Sequence, residues 1–187
     1  MSYCEYIPTI IDAGRRALHQ EYHDHHYGFP LHDDNELFGR LLLEINQAGL
    51  SWETILKKEP YFRKAYADYH VNKVAAFTED DRSRLLADKG IIRNKLKIDA
   101  AIENARAIQE LRTAYGSFEN WLTVHHPLPK EGWVKLFKRH FKFVGEEIVG
   151  EFLMSIGVLP GAHDKNCPVY QKILRQKPMW TNLTRKI

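Results

Sequence analysis

Apolar residues recur at helical spacing along almost the whole chain, and this periodicity constrains the fold more than any other feature of the sequence. The clearest case begins at the capping residue Asp33, continues through apolar positions three and four residues apart, and ends at Gly49. Ser51 and Thr78 are further capping residues before apolar-periodic segments. No Asn-Gly turn joins two alternating apolar runs, as a β-hairpin would require. The sequence therefore predicts an all-α fold.

Glycines, prolines and capping residues divide the predicted helices. Ser51 begins a short helix, and Pro60 suits the first position of another, because the first helical turn has no use for the N–H that proline lacks. The helix after Thr78 is expected to close at Gly90. Later helices are predicted between Asn94 and Ile108, between Gly132 and Phe141, and between Glu146 and Ile156.

The size and charge of the chain limit its class. Its 187 residues, 44% of them hydrophobic, suffice for one compact domain without disulfide support. We expect residues 1–187 to form a single domain in which residues 168–187 are a basic extension without acidic residues. The net charge of +3 tolerates a polyanionic partner without requiring one. No signal-peptide pattern or membrane-length apolar run is present, which predicts a cytoplasmic protein without membrane contact. We also expect a monomer.

Two cysteines and two histidines near the ends of the chain form a candidate metal site. Cys4 lies close to the N-terminus and is followed by His23, and His163 precedes Cys167 by four residues. Two thiolates and two imidazoles are the donors of closed tetrahedral zinc sites, which are structural rather than catalytic. The spacing alone leaves open that the cysteines are unrelated, and the two histidines that follow Asp24 compete with His23 as ligands.

An acidic residue falls on an apolar helical face. Glu44 follows leucines by three and seven residues, and a buried carboxylate there is costly unless it is paired or used. Gln47 lies one turn further on, Trp52 follows the next turn, and Tyr22 lies upstream. Acid, amide and aromatic rings together could line a pocket for a flat polar heterocycle. The alternative is a surface glutamate on a helix of slightly different phase.

A short basic connection is predicted between two helices. It starts at Gly90, continues with two isoleucines, and carries Arg93, Lys95 and Lys97. Free backbone N–H groups in such a turn and at the following helix start can bind a phosphate, and the cations add attraction. This is the plan of a helix-hairpin-helix DNA clamp, although basic helix connections are also common in other all-α proteins.

Taken in order, these residues resemble the DNA-3-methyladenine glycosylase I family, a branch of the helix-hairpin-helix DNA glycosylases. The resemblance covers nearly the whole chain. Its most specific strings are Gln-Ala-Gly-Leu-Ser-Trp at residues 47–52 and Phe-Lys-Phe-Val-Gly at residues 141–145. It also includes both halves of the candidate metal site and the Tyr-His-Asp segment at residues 22–24.

The resemblance implies a fold, an activity and a set of site residues. The fold would be that of a helix-hairpin-helix glycosylase, in which a structural zinc ion joins the N- and C-terminal segments. The activity would be hydrolysis of the N-glycosidic bond of 3-methyladenine in alkylated double-stranded DNA, without strand cleavage. The base would be flipped into the pocket, where Glu44 is the family's acid. The implied residues are Tyr6, Tyr22, Tyr27, Gln47 and Trp52 for the base, Gly90, Arg93, Lys95 and Lys97 for DNA, and Cys4, His23, His163 and Cys167 for zinc.

The chain also departs from the family pattern. Tyr6 and Tyr27 stand where the family usually has tryptophan. Ile45 and Asn46 replace a glycine and a glutamine beside the pocket acid, and on a later helix Glu151 and Met154 replace a small polar residue and a glutamine.

These differences leave alternatives to an active 3-methyladenine glycosylase. The first is a divergent member that binds DNA or another modified base with altered or lost excision. The second is an unrelated zinc hydrolase with an open metal site near His25 and His26. Four protein donors argue against the hydrolase, because catalytic zinc keeps one position for water.

Overall fold

A computed structural model of the chain describes residues 1–182, and all regular structure in this range is helical. The predicted all-α fold is thereby confirmed. The α-helices are α1 (Tyr3–Tyr6), α2 (Ala13–His25), α3 (Asp34–Gln47), α4 (Trp52–Ala65), α5 (Val71–Ala75), α6 (Glu79–Ala87), α7 (Lys95–Tyr115), α8 (Phe118–His125), α9 (Lys130–His140), α10 (Glu146–Ser155) and α11 (Pro168–Arg175). Single 3-10 turns lie at Ile7–Thr9, Ala67–Tyr69 and Met179–Thr181.

Helix α3 is the centre of the fold. The Asp33 side chain accepts hydrogen bonds from the backbone N–H groups of Asn35 and Glu36, as predicted for its start. Every residue from Leu37 to Asn46 is buried, because α4, α7, α8 and α10 pack around this helix. A charged residue within residues 37–46 therefore lies inside the protein.

The prediction that Pro60 begins a separate helix is wrong. Residue 60 lies inside α4, which runs unbroken from Trp52 to Ala65. Ile55, Phe62 and Ala65 are buried along one face of α4, so packing holds its two halves as one helix. Pro60 is exposed, and water can satisfy the carbonyl that lacks its usual N–H partner.

Two other helices end at residues different from those predicted. Thr78 and Asp81 form the expected reciprocal cap of α6, but α6 ends at Ala87 rather than at Gly90. Helix α7 continues beyond the predicted Ile108 to Tyr115 and ends at Gly116, whose φ of 86° suits glycine. The capping motifs thus predicted the helix starts more accurately than glycines and apolar spacing predicted the helix ends.

The N- and C-terminal segments meet away from the main core. Cys167, Val169 and Ile173 form a second buried cluster, against which Cys4 packs. Gly28 has a φ of 83°, and a Cβ there would lie 2.8 Å from the Cβ of Ala162, so only glycine allows the two segments to approach so closely. Residues 183–187 of the predicted basic extension lie outside the described residues. No helix of residues 1–182 is long and apolar enough to cross a membrane.

Candidate active site and metal centre

An open cavity of about 890 Å³ lies between the N-terminal segment, α2, α3, α4 and α10. This volume is within the range of small-molecule sites. The six residues that the sequence grouped as a pocket all line it, namely Tyr6, Tyr22, Tyr27, Glu44, Gln47 and Trp52.

Aromatic rings form one wall of the cavity. The ring centroids of Tyr22 and Trp52 are 5.0 Å apart, and those of Tyr22 and Tyr27 are 5.7 Å apart. Tyr3 contacts Tyr27 edge to face at 5.5 Å and lies 6.4 Å from Tyr6. The Trp52 indole nitrogen is buried without a hydrogen-bond partner among the described residues. The wall therefore offers π faces to a planar ligand.

The carboxyl group of Glu44 faces the same cavity from α3. Its side chain is buried, with 5% of the residue exposed, and no described group donates a hydrogen bond to it. Burial raises the pKa of Glu44 to about 8, although the Arg40 cation opposes this shift and the Glu151 carboxylate adds to it. An acid held uncompensated in a cavity is typical of a functional site.

Arg40, one turn before Glu44 on α3, is a part of the site that sequence reasoning missed. Its guanidinium donates hydrogen bonds to the Tyr22 hydroxyl at 3.3 Å and to the Ser155 carbonyl at 3.2 Å. It also lies over the Tyr22 ring at 5.2 Å. Arg40 therefore orients Tyr22 against the cavity. The spacing of a basic and an acidic residue four positions apart on an apolar face was a usable signal for it.

Tyr3 and Glu151 also line the cavity and were not among the predicted site residues. The Tyr3 hydroxyl is 2.8 Å from Nδ1 of His19, which holds the ring in place. Glu151 Oε2 accepts a hydrogen bond of 3.2 Å from the Tyr27 hydroxyl. Tyr3 directly precedes Cys4, so its position follows from that of the candidate metal site. The place of Glu151 depends on how α10 packs against α3.

Cys4, His23, His163 and Cys167 come together as the sequence proposed, with their donor atoms within 4.8 Å of one another. Cys4 Sγ lies 3.3 Å from His23 Nε2 and 3.6 Å from His163 Nδ1. Cys167 Sγ lies 3.8 and 3.7 Å from the same nitrogens. In a tetrahedron with ordinary zinc bond lengths, sulfur and nitrogen ligands are about 3.6 Å apart. The donor geometry therefore fits a tetrahedral metal ion.

Neighbouring groups orient both imidazoles. His23 Nδ1 is 2.7 Å from Asp24 Oδ1, and His163 Nε2 is 2.8 Å from the Tyr27 carbonyl oxygen. Each ring thus uses one nitrogen for an oxygen acceptor and turns the other towards the thiols. This is the arrangement found around metal-binding histidines, where the outer contact sets the tautomer.

His25 and His26, which the sequence left as rivals to His23, lie outside this cluster. Their side chains are more than half exposed, and both rings approach the exposed Glu21 carboxylate at 3.8 and 3.9 Å. The four clustered donors include neither of them. The described residues therefore form one closed four-donor group, and His25 and His26 belong to no metal-binding group.

The basic connection joins α6 and α7 through residues 88–94. The Gly90 N–H donates to Asp88 Oδ1 at 2.7 Å, so this N–H is already used within the turn. Lys58 on α4 donates to the Gly90 carbonyl at 2.9 Å and fastens the connection to the core. The side chains of Arg93 and Lys95 are exposed. Two of the four residues predicted to contact DNA thus present free cations to solvent.

Lys97 has a different place from the one that the sequence proposed. Only 5% of it is exposed, and its ammonium group donates to the carbonyl oxygens of Asn46 at 3.0 Å and Ala48 at 2.7 Å. These carbonyls end α3, where a cation is favourable. Lys97 therefore stabilises the end of the helix that carries Glu44.

Comparisons with known proteins show the family to which the chain belongs. Residues 12–133 match the methyladenine glycosylase family. The chain is 36% identical over 172 residues to DNA-3-methyladenine glycosylase 1 of Escherichia coli, covering 82% of this chain and 91% of the relative. It is 31% identical over 175 residues to DNA-3-methyladenine glycosylase of Haemophilus influenzae, covering 83% and 94%.

Solved structures of similar proteins share the fold. The structure of 3-methyladenine DNA glycosylase I from Staphylococcus aureus, described as showing 3-methyladenine recognition, superposes with a TM-score of 0.78 at 32% identity. The superposition covers 90% of this chain and 97% of the Staphylococcus aureus chain. Two related structures carry single substitutions, one of tyrosine by phenylalanine in complex with 3-methyladenine and one of glutamate by glutamine.

Proposed function

Because the chain belongs to the methyladenine glycosylase family, we propose that it removes 3-methyladenine from alkylated double-stranded DNA in base-excision repair. The reaction hydrolyses the N-glycosidic bond and leaves the strand intact. The observation that carries the proposal is the cavity in which the buried Glu44 carboxyl faces the rings of Tyr22 and Trp52.

The cavity suits a base that has left the double helix. Methylation at N3 gives adenine in DNA a positive charge and weakens its pairing and stacking, which lowers the cost of flipping. Tyr22, Tyr27 and Trp52 provide π faces on which such a ring stacks, and a cation on an aromatic face is attracted further. Gln47 lines the cavity near the end of α3 and offers polar groups at the rim.

Glu44 gives the cavity its preference for the methylated base. With a pKa of about 8, its carboxyl is largely protonated near pH 7 when the cavity is empty. A cationic base favours the ionised form, and the resulting pair stabilises the alkylated base over a neutral one. The cationic base already leaves readily, so strong acid catalysis is unnecessary. No lysine of the described residues lines the cavity, which argues against a Schiff-base route.

We further propose that the four-donor cluster holds zinc. The proposal is supported by the tetrahedral donor spacing and by the oriented imidazoles. Zinc in a closed site supplies stability rather than an activated water. Tyr3 directly precedes the ligand Cys4, and Tyr22 directly precedes the ligand His23, so the ligands hold both rings at the cavity wall.

DNA is proposed to bind across the connection between α6 and α7. Arg93 and Lys95 are exposed there and are the residues placed to neutralise phosphates. Gly90 shapes the turn, because a Cβ at this position would lie 3.0 Å from the Tyr61 side chain. Lys97 is left out of the proposed DNA surface, because its ammonium group is used inside the protein.

Release of free 3-methyladenine from methylated duplex DNA tests the proposed function. We expect wild-type protein to release the base and Glu44→Gln to be slower by about 10- to 100-fold. Glu131→Gln, which changes an exposed residue of α9, is the matched control and should retain activity. Binding of methylated DNA without release of the base would instead identify a divergent DNA-binding member of the family.

A further inference from the structure

Besides the buried Glu44, a second acidic residue lies at the cavity, and its carboxyl group is half-buried. Glu151 lies on α10 and lines the cavity from the side of that helix. One of its oxygens accepts the Tyr27 hydroxyl at 3.2 Å, and no described group donates to the other. A carboxylate held by a single neutral donor keeps most of its charge available to a ligand.

The side chains around the cavity carry an excess of negative charge. Glu147 and Glu151 line it, beside a Glu44 that is largely protonated when the cavity is empty, and no lysine, arginine or histidine side chain of the described residues lies in the lining. Arg40 lies behind the aromatic wall, where its Nη1 donates to Tyr22 and two backbone carbonyls, and its charge partly offsets the burial of Glu44. Lys130 pairs with the exposed Glu146 at 3.3 Å and approaches Glu147 at 3.9 Å, and its charge acts on Glu151 without forming an ion pair with it. The empty cavity is thus electrostatically prepared for a cation.

We propose that Glu151 is a charge-selecting residue of the base site, which contacts an N-alkylated purine cation directly and gives a neutral base of the same shape no such attraction. This inference rests on the proposed function, because it takes the cavity to be the base site. It assigns to Glu151 a second contact that adds to the one made by Glu44.

The electrostatics of the two acids agree with this role. Burial raises the pKa of Glu151, the hydrogen bond from Tyr27 and the Lys130 cation oppose this shift, and the carboxylate of Glu147 adds to it. Glu151 in turn contributes to the raised pKa of Glu44. The ionised forms of the two acids disfavour each other, and a cation that lies between them removes this cost.

The change in the charge of the base during the reaction limits the step at which Glu151 contributes. When the N-glycosidic bond breaks, its electron pair goes to the base, whose positive charge is thereby cancelled. The hydroxyl of a water molecule adds to C1′ of the sugar, and the second proton of the water is released. The attraction to Glu151 therefore exists for the bound substrate and is lost in the neutral product. Glu151 should therefore lower KM without raising kcat, and it should not hold back the neutral product.

Two small probes separate charge from shape. The cation 3,9-dimethyladeninium carries a methyl group in place of the sugar, and 9-methyladenine is its neutral counterpart. We expect Glu151→Gln to weaken binding of the cation about tenfold by calorimetry and to leave binding of the neutral probe unchanged. On methylated DNA, KM should rise by a similar factor at constant kcat. Glu151→Asp keeps the charge and should keep most of the preference.

The control is Glu131→Gln on α9, which removes the same charge from an exposed side chain outside the cavity. It should change the affinity for either probe by less than twofold. Equal losses for both probes in Glu151→Gln, or no loss for the cation, would overturn the inference. If wild-type protein released no 3-methyladenine, the proposed function would fail, and the probe comparison would still decide the role of Glu151.

Discussion

Glu44 carries a cost in stability that its function explains. A buried carboxyl with a raised pKa is tolerated when protonated and becomes unfavourable when ionised. Nothing among residues 1–182 neutralises it by direct contact, although Arg40 lies one helical turn away. The energy lost at this residue is recovered when a cation binds.

This cost predicts how the stability of the protein depends on pH. The folded pKa of Glu44, about 8, lies above its ordinary value of 4.5. The folded state therefore holds a proton that the unfolded state releases, and stability falls as the pH rises from about 4.5 to about 8. Urea unfolding should show Glu44→Gln to be more stable than wild type at pH 9, by on the order of 2 kcal/mol, and similar at pH 4.5. A difference that did not change with pH would contradict the assignment.

Proton release on binding is a second consequence at this residue. A cationic base stabilises ionised Glu44, so binding near pH 7 should release close to one proton. Calorimetry of 3,9-dimethyladeninium binding in two buffers of different ionisation enthalpy measures this number directly. In Glu44→Gln the release should fall by most of that amount. An unchanged release would assign the proton to another group.

At the scale of elements, α3 and α7 are joined through Lys97. The ammonium group bonds two carbonyls at the C-terminal end of α3 and is nearly inaccessible to solvent. Burial lowers the pKa of Lys97, which agrees with a structural position. We expect Lys97→Met to lower the free energy of unfolding by about 2 kcal/mol, because the lost hydrogen bonds involve a charged donor. The exposed Lys95→Met is the control in urea unfolding, and an equal effect of both would contradict this interpretation.

The connection between α6 and α7 should act on DNA through charge. Arg93→Ala and Lys95→Ala remove exposed cations and should each reduce the slope of log affinity against log salt concentration by about 1. Lys135→Ala removes an exposed charge from α9 and serves as the control. Binding to duplex DNA at several salt concentrations measures the slopes. Slopes that matched the control would place the DNA surface elsewhere.

At the scale of the whole molecule, the four-donor cluster connects segments that are far apart in sequence. Cys4 and Cys167 belong to the two ends of the described chain and meet in one small cluster. A bound metal ion would make the folded state more stable and would hold Tyr3 and Tyr22 at the cavity. Stability and base binding should therefore depend on the metal together.

Metal analysis tests this dependence. Protein purified without chelator should contain about one zinc ion per chain, and Cys167→Ser should lose it with a marked drop in Tm. His23→Ala should behave in the same way, whereas His25→Ala should keep the metal, because its ring is exposed and outside the cluster. Binding of 3,9-dimethyladeninium should weaken in the metal-free variants. Full metal content in His23→Ala would overturn the ligand set.

Local features of the fold could be predicted from the sequence because neighbours on a helix are three or four residues apart. Apolar periodicity therefore indicated the all-α class, and Asp33, Ser51 and Thr78 marked helix starts. The same local rules were wrong for Pro60, since packing on both sides of it holds α4 together. The residues of the cavity wall were grouped through Glu44 on its apolar face and through the family resemblance.

Only the tertiary structure decided contacts between distant segments. It selected His23 over His25 and His26 as a neighbour of the thiols, and it directed Lys97 into the core rather than towards a phosphate. It also brought Glu151 of α10 to the cavity that contains Glu44 of α3. Periodicity determines which side of a helix is buried, whereas the packing of helices from remote parts of the chain determines what each buried or half-buried side chain meets there.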